Sequence, residues 1–335
     1  MATEKERAGR NRTIRLSPEE ESVFLGRCMD RDEVTGDRDA AGGGTLTDDR
    51  DAAGGGTLMN KTIHGDCFSV LPFLPVKSVD LLIVDPPYNL DKKFSSSPFH
   101  KMEDPLYRDF SRRWINACLP ALKQTASVYV CCDWRTSLII GAILGDYFIV
   151  QNRITWQREK GRGAHSNWKN AMEDIWYATV SDKYTFNVES VKQRRRVVAP
   201  YREGGRPKDW EETAQGKFRD TCPSNFWDDI SIPYWSMPEN TDHPTQKPEK
   251  LLAKLILASS DPGDLILDPF VGAGTTSVVA KKLGRRYIGI EREAVYCALT
   301  EKRLALAETV PAIQGYTDGV FWERNTLADQ KNGNK

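Results

Sequence analysis

Residues 85–88 read Asp-Pro-Pro-Tyr and follow the apolar run VDLLIV. A continuous apolar run closed by prolines is the pattern of a parallel strand buried on both faces. The C-terminal ends of such strands are where open α/β sheets hold their ligands. Two consecutive prolines fix the backbone and remove two N–H donors, so the carbonyls preceding them are free to serve as acceptors. Asp85 adds a carboxylate and Tyr88 an aromatic face. The turn Asp85, Pro86, Pro87, Tyr88 thus offers acceptors for an amino group and a plane for its ring to stack upon. A Pro-Pro turn that merely ends a strand is the plainer alternative.

Residues 268–276 read Asp-Pro-Phe-Val-Gly-Ala-Gly-Thr-Thr, between a strand-like DLILD and a helix-like TTSVVAKKL. Gly272 and Gly274 permit a tight turn and close approach to a ligand. Glu291 ends the next strand pattern, RRYIGIE, 17 residues after Gly274. An acid there can accept hydrogen bonds from both hydroxyls of a ribose. The loop lacks the G-x-G-x-x-G spacing and the P-loop lysine, so a nucleoside without phosphates is favoured. Alone, a strand, a Gly-x-Gly and a helix are a weak signal.

The elements that must position these residues alternate. TIHGD, VDLLIVD, SVYVCCD, FIVQNRITWQ, DLILDPF and RRYIGIE have the patterns of strands. CFSVLPFLP, LYRDFSRRWINACLPALK, TSLIIGAILGDY, EKLLAKLILASS, GTTSVVAKKLG and AVYCALTEKRLALAE have those of helices. Such alternation predicts an α/β fold, a Rossmann-like, mostly parallel sheet with helices on both faces. The chain of 335 residues is long enough to bury a core without disulfides. Its seven cysteines include no C-x-x-C, and Cys131-Cys132 sit on a buried strand as small core residues. No metal site is expected. The nearly apolar stretch 138–150 is too short to cross a bilayer, and residues 1–16 lack a secretory h-region. The expected location is cytoplasmic, with reduced thiols.

A net charge of zero hides an asymmetry: residues 1–58 carry 13 acids and 9 bases. The sequence DRDAAGGGTL occurs at 37–46 and again at 49–58, a glycine-rich repeat that cannot form a packed face. Residues 1–58 are therefore expected to be a disordered extension, with the fold, and even the true start, near Met59. Ser17 and Glu20 in SPEEESVFL suggest a short capped helix within it. On this reading, deleting residues 1–58 leaves activity and melting temperature unchanged.

Residues 185–240 break the alternation. Lys192, Arg194, Arg195, Arg196, Arg202, Arg206 and Lys208 stand against the single acid Glu203 in residues 192–208, with Tyr184, Phe186, Tyr201, Trp210, Phe218, Phe226, Trp227, Tyr234 and Trp235 around them. Two readings are open: a solvated loop, or a surface facing nucleic acid, where bases pair with phosphates and aromatics stack or wedge. His165 and Trp168 suggest a loop over the pocket.

DPPY together with DPFVGAGTT resembles the amino-methyltransferases of DNA, which methylate N6 of adenine or N4 of cytosine. The order, DPPY first and the glycine loop later, resembles their beta class. His243-Pro-Thr-Gln-Lys-Pro248 and Gly65-Asp66-Cys67 resemble two further motifs of that family. The resemblance spans nearly all of residues 60–307. It implies S-adenosylmethionine as cofactor, with catalysis at Asp85, Pro86, Pro87 and Tyr88. It implies a cofactor site at Asp66, Cys67, His243, Thr245, Lys247, Pro248, Asp268, Phe270, Gly272, Gly274, Thr275, Thr276, Glu291 and Arg292. Two readings are open for Lys247, a cofactor contact or a surface pair with Glu249, and His243 could instead cap the following helix. The implied organisation is a catalytic half at 59–184, a target-recognition insertion at 185–240 that binds duplex DNA, a cofactor-binding half at 241–310 and a tail at 311–335. Adenine is favoured because many cytosine-N4 enzymes begin the motif with Ser. Cytosine, or a catalytically silent binder on the same fold, are the alternatives. A homodimer and a companion restriction endonuclease are further implications.

Overall fold

The computed structural model describes residues 9–39, 58–94, 97–158, 166–198, 201–213 and 216–323. Nine strands form the main sheet: β1 (Met29–Asp30), β2 (Lys61–His64), β3 (Val79–Val84), β4 (Leu122–Cys132), β5 (Ile149–Gln157), β6 (Met172–Thr179), β7 (Phe226–Trp227), β8 (Leu265–Asp268) and β9 (Arg286–Glu291). Their spatial order is β1-β2-β9-β8-β3-β4-β6-β5-β7. Neighbours from β1 through β4 run parallel; β6 is antiparallel to both β4 and β5. The expected α/β, mostly parallel architecture is present.

The period of two explains the layering. Leu82 and Val84 face one apolar cluster, with Tyr107, Trp114 and Ile115 of α4 (Asp104–Cys118) and Ile140 and Ile143 of α5 (Thr136–Tyr147). Leu81 and Ile83 face the other, with Leu251 and Leu255 of α6 (Glu249–Ser259), Val278 and Val279 of α7 (Thr275–Lys282) and Leu304 of α8 (Ala294–Thr309). Both faces of the central strands are covered, as their unbroken apolar runs require. Among the described residues, no helix is long and apolar enough to cross a membrane.

The N-terminal segment corrects one expectation. The repeat lies almost wholly outside the described residues, but residues 9–39 are folded onto the body. Helix α1 (Pro18–Leu25) carries the expected capping box, with Glu20 N donating to Ser17 Oγ and Ser17 N donating to Glu20 Oε2. It packs on α8, where Lys302 Nζ reaches Glu20 Oε1 and the Arg15 carbonyl, both at 2.6 Å. Ahead of it, Ile14 N donates to Asn240 O and Arg12 N to Trp235 O, and Arg15 pairs with Asp242. After it, β1 extends the sheet beside β2, and Met29 and Val34 are buried in the first cluster. No residue of α1 is buried, so its sequence has the polar pattern of a solvated segment, and ion pairs and main-chain bonds dock it. Deleting residues 1–58 is therefore expected to lower the melting temperature. Losing two buried apolar side chains costs about 3–6 kcal/mol, or roughly 4–9 °C for a chain of this size. An unchanged calorimetric midpoint would contradict this.

Two boundaries also shift. Residues 316–317 and 320–322 of the expected tail join Gln193–Arg196, Gly216–Thr221 and Glu211–Thr213 in a separate five-stranded sheet. Within the expected insertion, β7 belongs to the main sheet, and Trp227, Ile230 and Ile232 are buried in the second cluster.

Candidate active site

The C-terminal ends of β2, β3, β8 and β9 open onto one pocket. Asp85, Pro86, Pro87, Tyr88, Asp66, Cys67, His243, Thr245, Lys247, Asp268, Phe270, Gly272, Thr275, Thr276, Glu291 and Arg292 all line it. Residues more than two hundred positions apart converge because β8 lies between β9 and β3.

The glycine loop leaves β8 at Asp268. Asp268 Oδ1 accepts from Phe270 N at 3.0 Å and Oδ2 from Thr276 Oγ1 at 2.6 Å, pinning the loop at both ends. Gly272 (φ 54°) and Gly274 (φ 77°) are both left-handed. A Cβ on Gly272 would sit 3.1 Å from His243 Nε2. Glu291 receives Gly272 N on Oε2 and Glu293 N on Oε1, at 2.9 and 2.8 Å. Burial raises its pKa while those amides oppose the rise. Each oxygen keeps a second lone pair for a ligand hydroxyl.

Asp66 caps α3 (Cys67–Val70) by accepting from Phe68 N. Cys67 is buried and its thiol is pushed up to about 12 by burial, so it is neutral. His243 packs edge-on against Tyr296, with ring centroids 4.4 Å apart. Burial lowers its pKa to about 4, so the imidazole is neutral at pH 7, and its Nδ1 accepts from Thr245 N. The helix-capping alternative for His243 is not realised; Pro248 occupies that cap. Arg292 is half-exposed and pairs with Glu293. Pro248 and Gly274 do not line the pocket: Gly274 begins α7 against Thr300.

Asp85 is part of a buried network. Lys247 Nζ donates to Asp85 Oδ2 at 2.6 Å and to the Tyr88 hydroxyl at 3.1 Å, and lies 3.4 Å from Glu173 Oε2. The Tyr88 hydroxyl lies 3.0 Å from Asp85 Oδ1 and 3.2 Å from Glu173 Oε2, so it donates to one acid at a time. Arg158 holds the far oxygen of Glu173. Burial opposes the charge on Lys247, but Asp85 and Glu173 outweigh it and raise its pKa. The surface pair of Lys247 with Glu249 is thereby ruled out: Glu249 is itself buried and pairs with Lys282 and Arg303. The Tyr107 hydroxyl donates to the Pro87 carbonyl at 3.0 Å and fixes the turn.

Glu173, Arg158, Tyr107 and Arg303 were not singled out from the sequence. Arg303 is buried and donates to Ala273 O and Thr275 Oγ1, holding the glycine loop from α8. One signal was available for Glu173: an acid at the head of the apolar strand EDIWYAT.

The basic residues of the insertion do not reach the pocket. Lys192 pairs with Glu189, Arg194 with Asp220, Arg195 with Glu323 and Lys208 with Glu203, so much of their charge is neutralised within the chain. Arg202 lies over Trp210 and Arg196 over Phe218, while Arg206 is exposed. Trp168 is 93% exposed and does not line the pocket, and His165 lies outside the described residues.

Asp268 gives the site a pH signature. Burial raises its pKa from 3.8 to about 7. Between those values the folded chain holds a proton that the unfolded chain has lost, so stability falls as pH rises through this window. Asp268→Asn can keep both loop bonds and is expected to reduce that decline by a few kcal/mol. Glu239, raised to about 7 chiefly by burial, keeps its own share. Urea melts at pH 5 and pH 8 measure the difference; equal slopes in the two proteins would contradict the assignment.

The Asp85–Tyr88 turn, the glycine loop and Glu291 thus face one pocket at the sheet's C-terminal edge, the place where open α/β enzymes bind their ligands. The sequence model of the N6/N4-methyltransferase family, described as DNA methylase, matches residues 79–302. DNA adenine methyltransferase YhdJ of Escherichia coli (strain K12) is 36% identical over 252 residues, covering 73% of this chain and 82% of that protein. Type II methyltransferase M.HpaI of Haemophilus parainfluenzae is 33% identical over 253 residues, covering 73% and 74%. The solved structure of PvuII DNA methyltransferase, cytosine-N4-specific, shares the fold with a TM-score of 0.54 at 17% identity, covering 75% of this chain and 92% of that one. The chain belongs to the DNA methylase family and is a DNA methyltransferase.

Proposed function

We propose that this enzyme transfers a methyl group from S-adenosylmethionine to N6 of an adenine extruded from duplex DNA. The observation that carries the reading is the convergence of Asp85, the glycine loop and Glu291 on one pocket. The residues present fit the cofactor. Phe68, Phe270 and Ile290 supply apolar walls for a flat ring, and Asp66 and Glu291 supply acceptors. Gly272 leaves a cradle against His243 that a Cβ would fill. The group, when bound, supplies an electrophilic methyl on a positively charged sulfur.

An exocyclic amine is a poor nucleophile because its lone pair is delocalised into the ring. Asp85 and the Pro86 carbonyl accept its two hydrogens, draw the nitrogen toward a tetrahedral shape and localise the pair. The Asp85 carboxylate is also suited to receive the proton that the methylated amine sheds. The ring of Tyr88 stacks on the base. Positioning and matched electrostatics supply most of the acceleration. A base inside a duplex cannot reach Asp85, so it is unstacked at a cost of a few kcal/mol.

Adenine is favoured by the acid at the first position of the Asp85–Tyr88 turn, and the name of the Escherichia coli relative supports it. The bases of the insertion that remain exposed, Arg206 above all, are the proposed phosphate contacts. A homodimer and a companion restriction endonuclease belong to the same proposal; light scattering tests the first.

The test uses purified protein, methyl-labelled S-adenosylmethionine and mixed-sequence duplex DNA, digested to nucleosides and chromatographed. Label is expected in N6-methyldeoxyadenosine. Label in N4-methyldeoxycytidine overturns the base, and no label overturns the activity.

A further inference from the structure

Both oxygens of Asp85 are engaged, Oδ2 by Lys247 and Oδ1 by Tyr88. Each oxygen can take a second partner, but the amine and the Lys247 ammonium then compete for one carboxylate charge. Lys247 cannot simply leave: its side chain is only 9% exposed, and its ammonium loses water contacts on entering the protein. A second acid stands beside it. Glu173 is 3% exposed, on β6, two strands from β3, with Oε2 at 3.4 Å from Lys247 Nζ against 2.6 Å for Asp85 Oδ2. Arg158 anchors the other carboxylate oxygen of Glu173, so the acid is fixed in place.

We propose that Glu173 is a positioning residue that receives the Lys247 ammonium when the target amine takes its place on Asp85. In the resting protein Lys247 stands in for the amine, keeping the Asp85 carboxylate aimed. As the base enters, the ammonium slides from Asp85 toward Glu173, keeping a carboxylate partner throughout. Tyr88 is within reach of both acids and can follow the same shift, turning its hydroxyl from Asp85 Oδ1 to Glu173 Oε2. The inference rests on the reading of Asp85 as the amine's acceptor. Glu173 itself does not line the cofactor pocket, so its substitution is expected to leave cofactor affinity unchanged.

Glu173→Gln keeps the shape but removes the receiving charge. Methyl transfer is measured on mixed-sequence duplex DNA, with labelled S-adenosylmethionine saturating for each variant. Glu173→Gln is expected to lower kcat/KM for DNA by about tenfold or more, with cofactor affinity unchanged. Glu173→Asp, which restores the acid, is expected to stay within about threefold of wild type. The distinguishing measurement is the double variant Glu173→Gln/Lys247→Met, which removes the lysine that no longer has anywhere to go. It is expected to be severalfold more active than Glu173→Gln alone. Two results overturn the proposal: Glu173→Gln within threefold of wild type, or a double variant no better than Glu173→Gln. Absence of transfer by the wild-type protein would instead remove the underlying reading of Asp85.

Discussion

Asp85→Ala is expected to abolish methyl transfer while leaving cofactor binding largely intact. Asp85 is the one carboxylate of the rigid 85–88 turn, held in place by Lys247 and Tyr88. Removing it takes away an acceptor that strengthens as charge develops on the amine. Deleting a single such preorganised contact typically costs about 10²–10³ in kcat. The loss here is expected at or above that range, because the same group is proposed to receive the amine's proton. Structural collapse is not expected, since Lys247 retains Glu173 as a partner and Tyr107 still fixes the turn through the Pro87 carbonyl. Glu291 and the glycine loop are untouched. The check is a pair of measurements, single-turnover methyl transfer and equilibrium titration with S-adenosylmethionine. Turnover near the wild-type rate would refute the role of Asp85. Loss of both activities together would make the residue structural.

Gly274→Ala is expected to be the most damaging single methyl addition in the cofactor half. Gly274 has φ 77°, and a Cβ there would lie 2.4 Å from Thr300 Cγ2 and 2.6 Å from its Oγ1. Thr300 is fully buried on α8 and donates to the Gly272 carbonyl, so it has nowhere to retreat. The left-handed backbone costs a non-glycine residue about 1–2 kcal/mol, and overpacking adds about 1–3 kcal/mol. Against a typical total of about 5–15 kcal/mol, that is a large fraction. A drop in melting temperature of roughly 3–7 °C follows, with cofactor affinity falling as the loop shifts. Gly205→Ala is the control. Its φ is 82°, but nothing lies within 4 Å of the added methyl, so only the backbone cost applies. Equal losses in the two variants would mean that the Thr300 contact is unimportant.

Local sequence carries the information for elements whose chemistry is local. The unbroken apolar run 79–84 needs both faces covered, and α4 and α6 cover them. The capping box at Ser17 and Glu20 was readable because its partners are three residues apart. The N-terminal segment was misjudged because its attachment is distant: Lys302 on α8 and the main chain at Trp235 and Asn240 hold a helix with no apolar face. The internal pairing of the charge run at 192–208 was hidden in a related way. Its partners Asp220 and Glu323 lie outside the run, and strand pairing brings them in.

The residue types at 85–88, 268–276 and 291 carry the proposed chemistry, an amine acceptor, a nucleoside loop and a ribose acid, each read from its own few atoms. Tertiary structure alone decided what surrounds them. Lys247 follows from its motif as a residue near the site, yet only the sheet order β9-β8-β3-β4-β6 brings it between Asp85 and Glu173. The physical reason is range. A turn or a cap is set by neighbours in the chain, whereas an ion pair in a buried network depends on which strands lie side by side, and no short stretch of sequence encodes that adjacency.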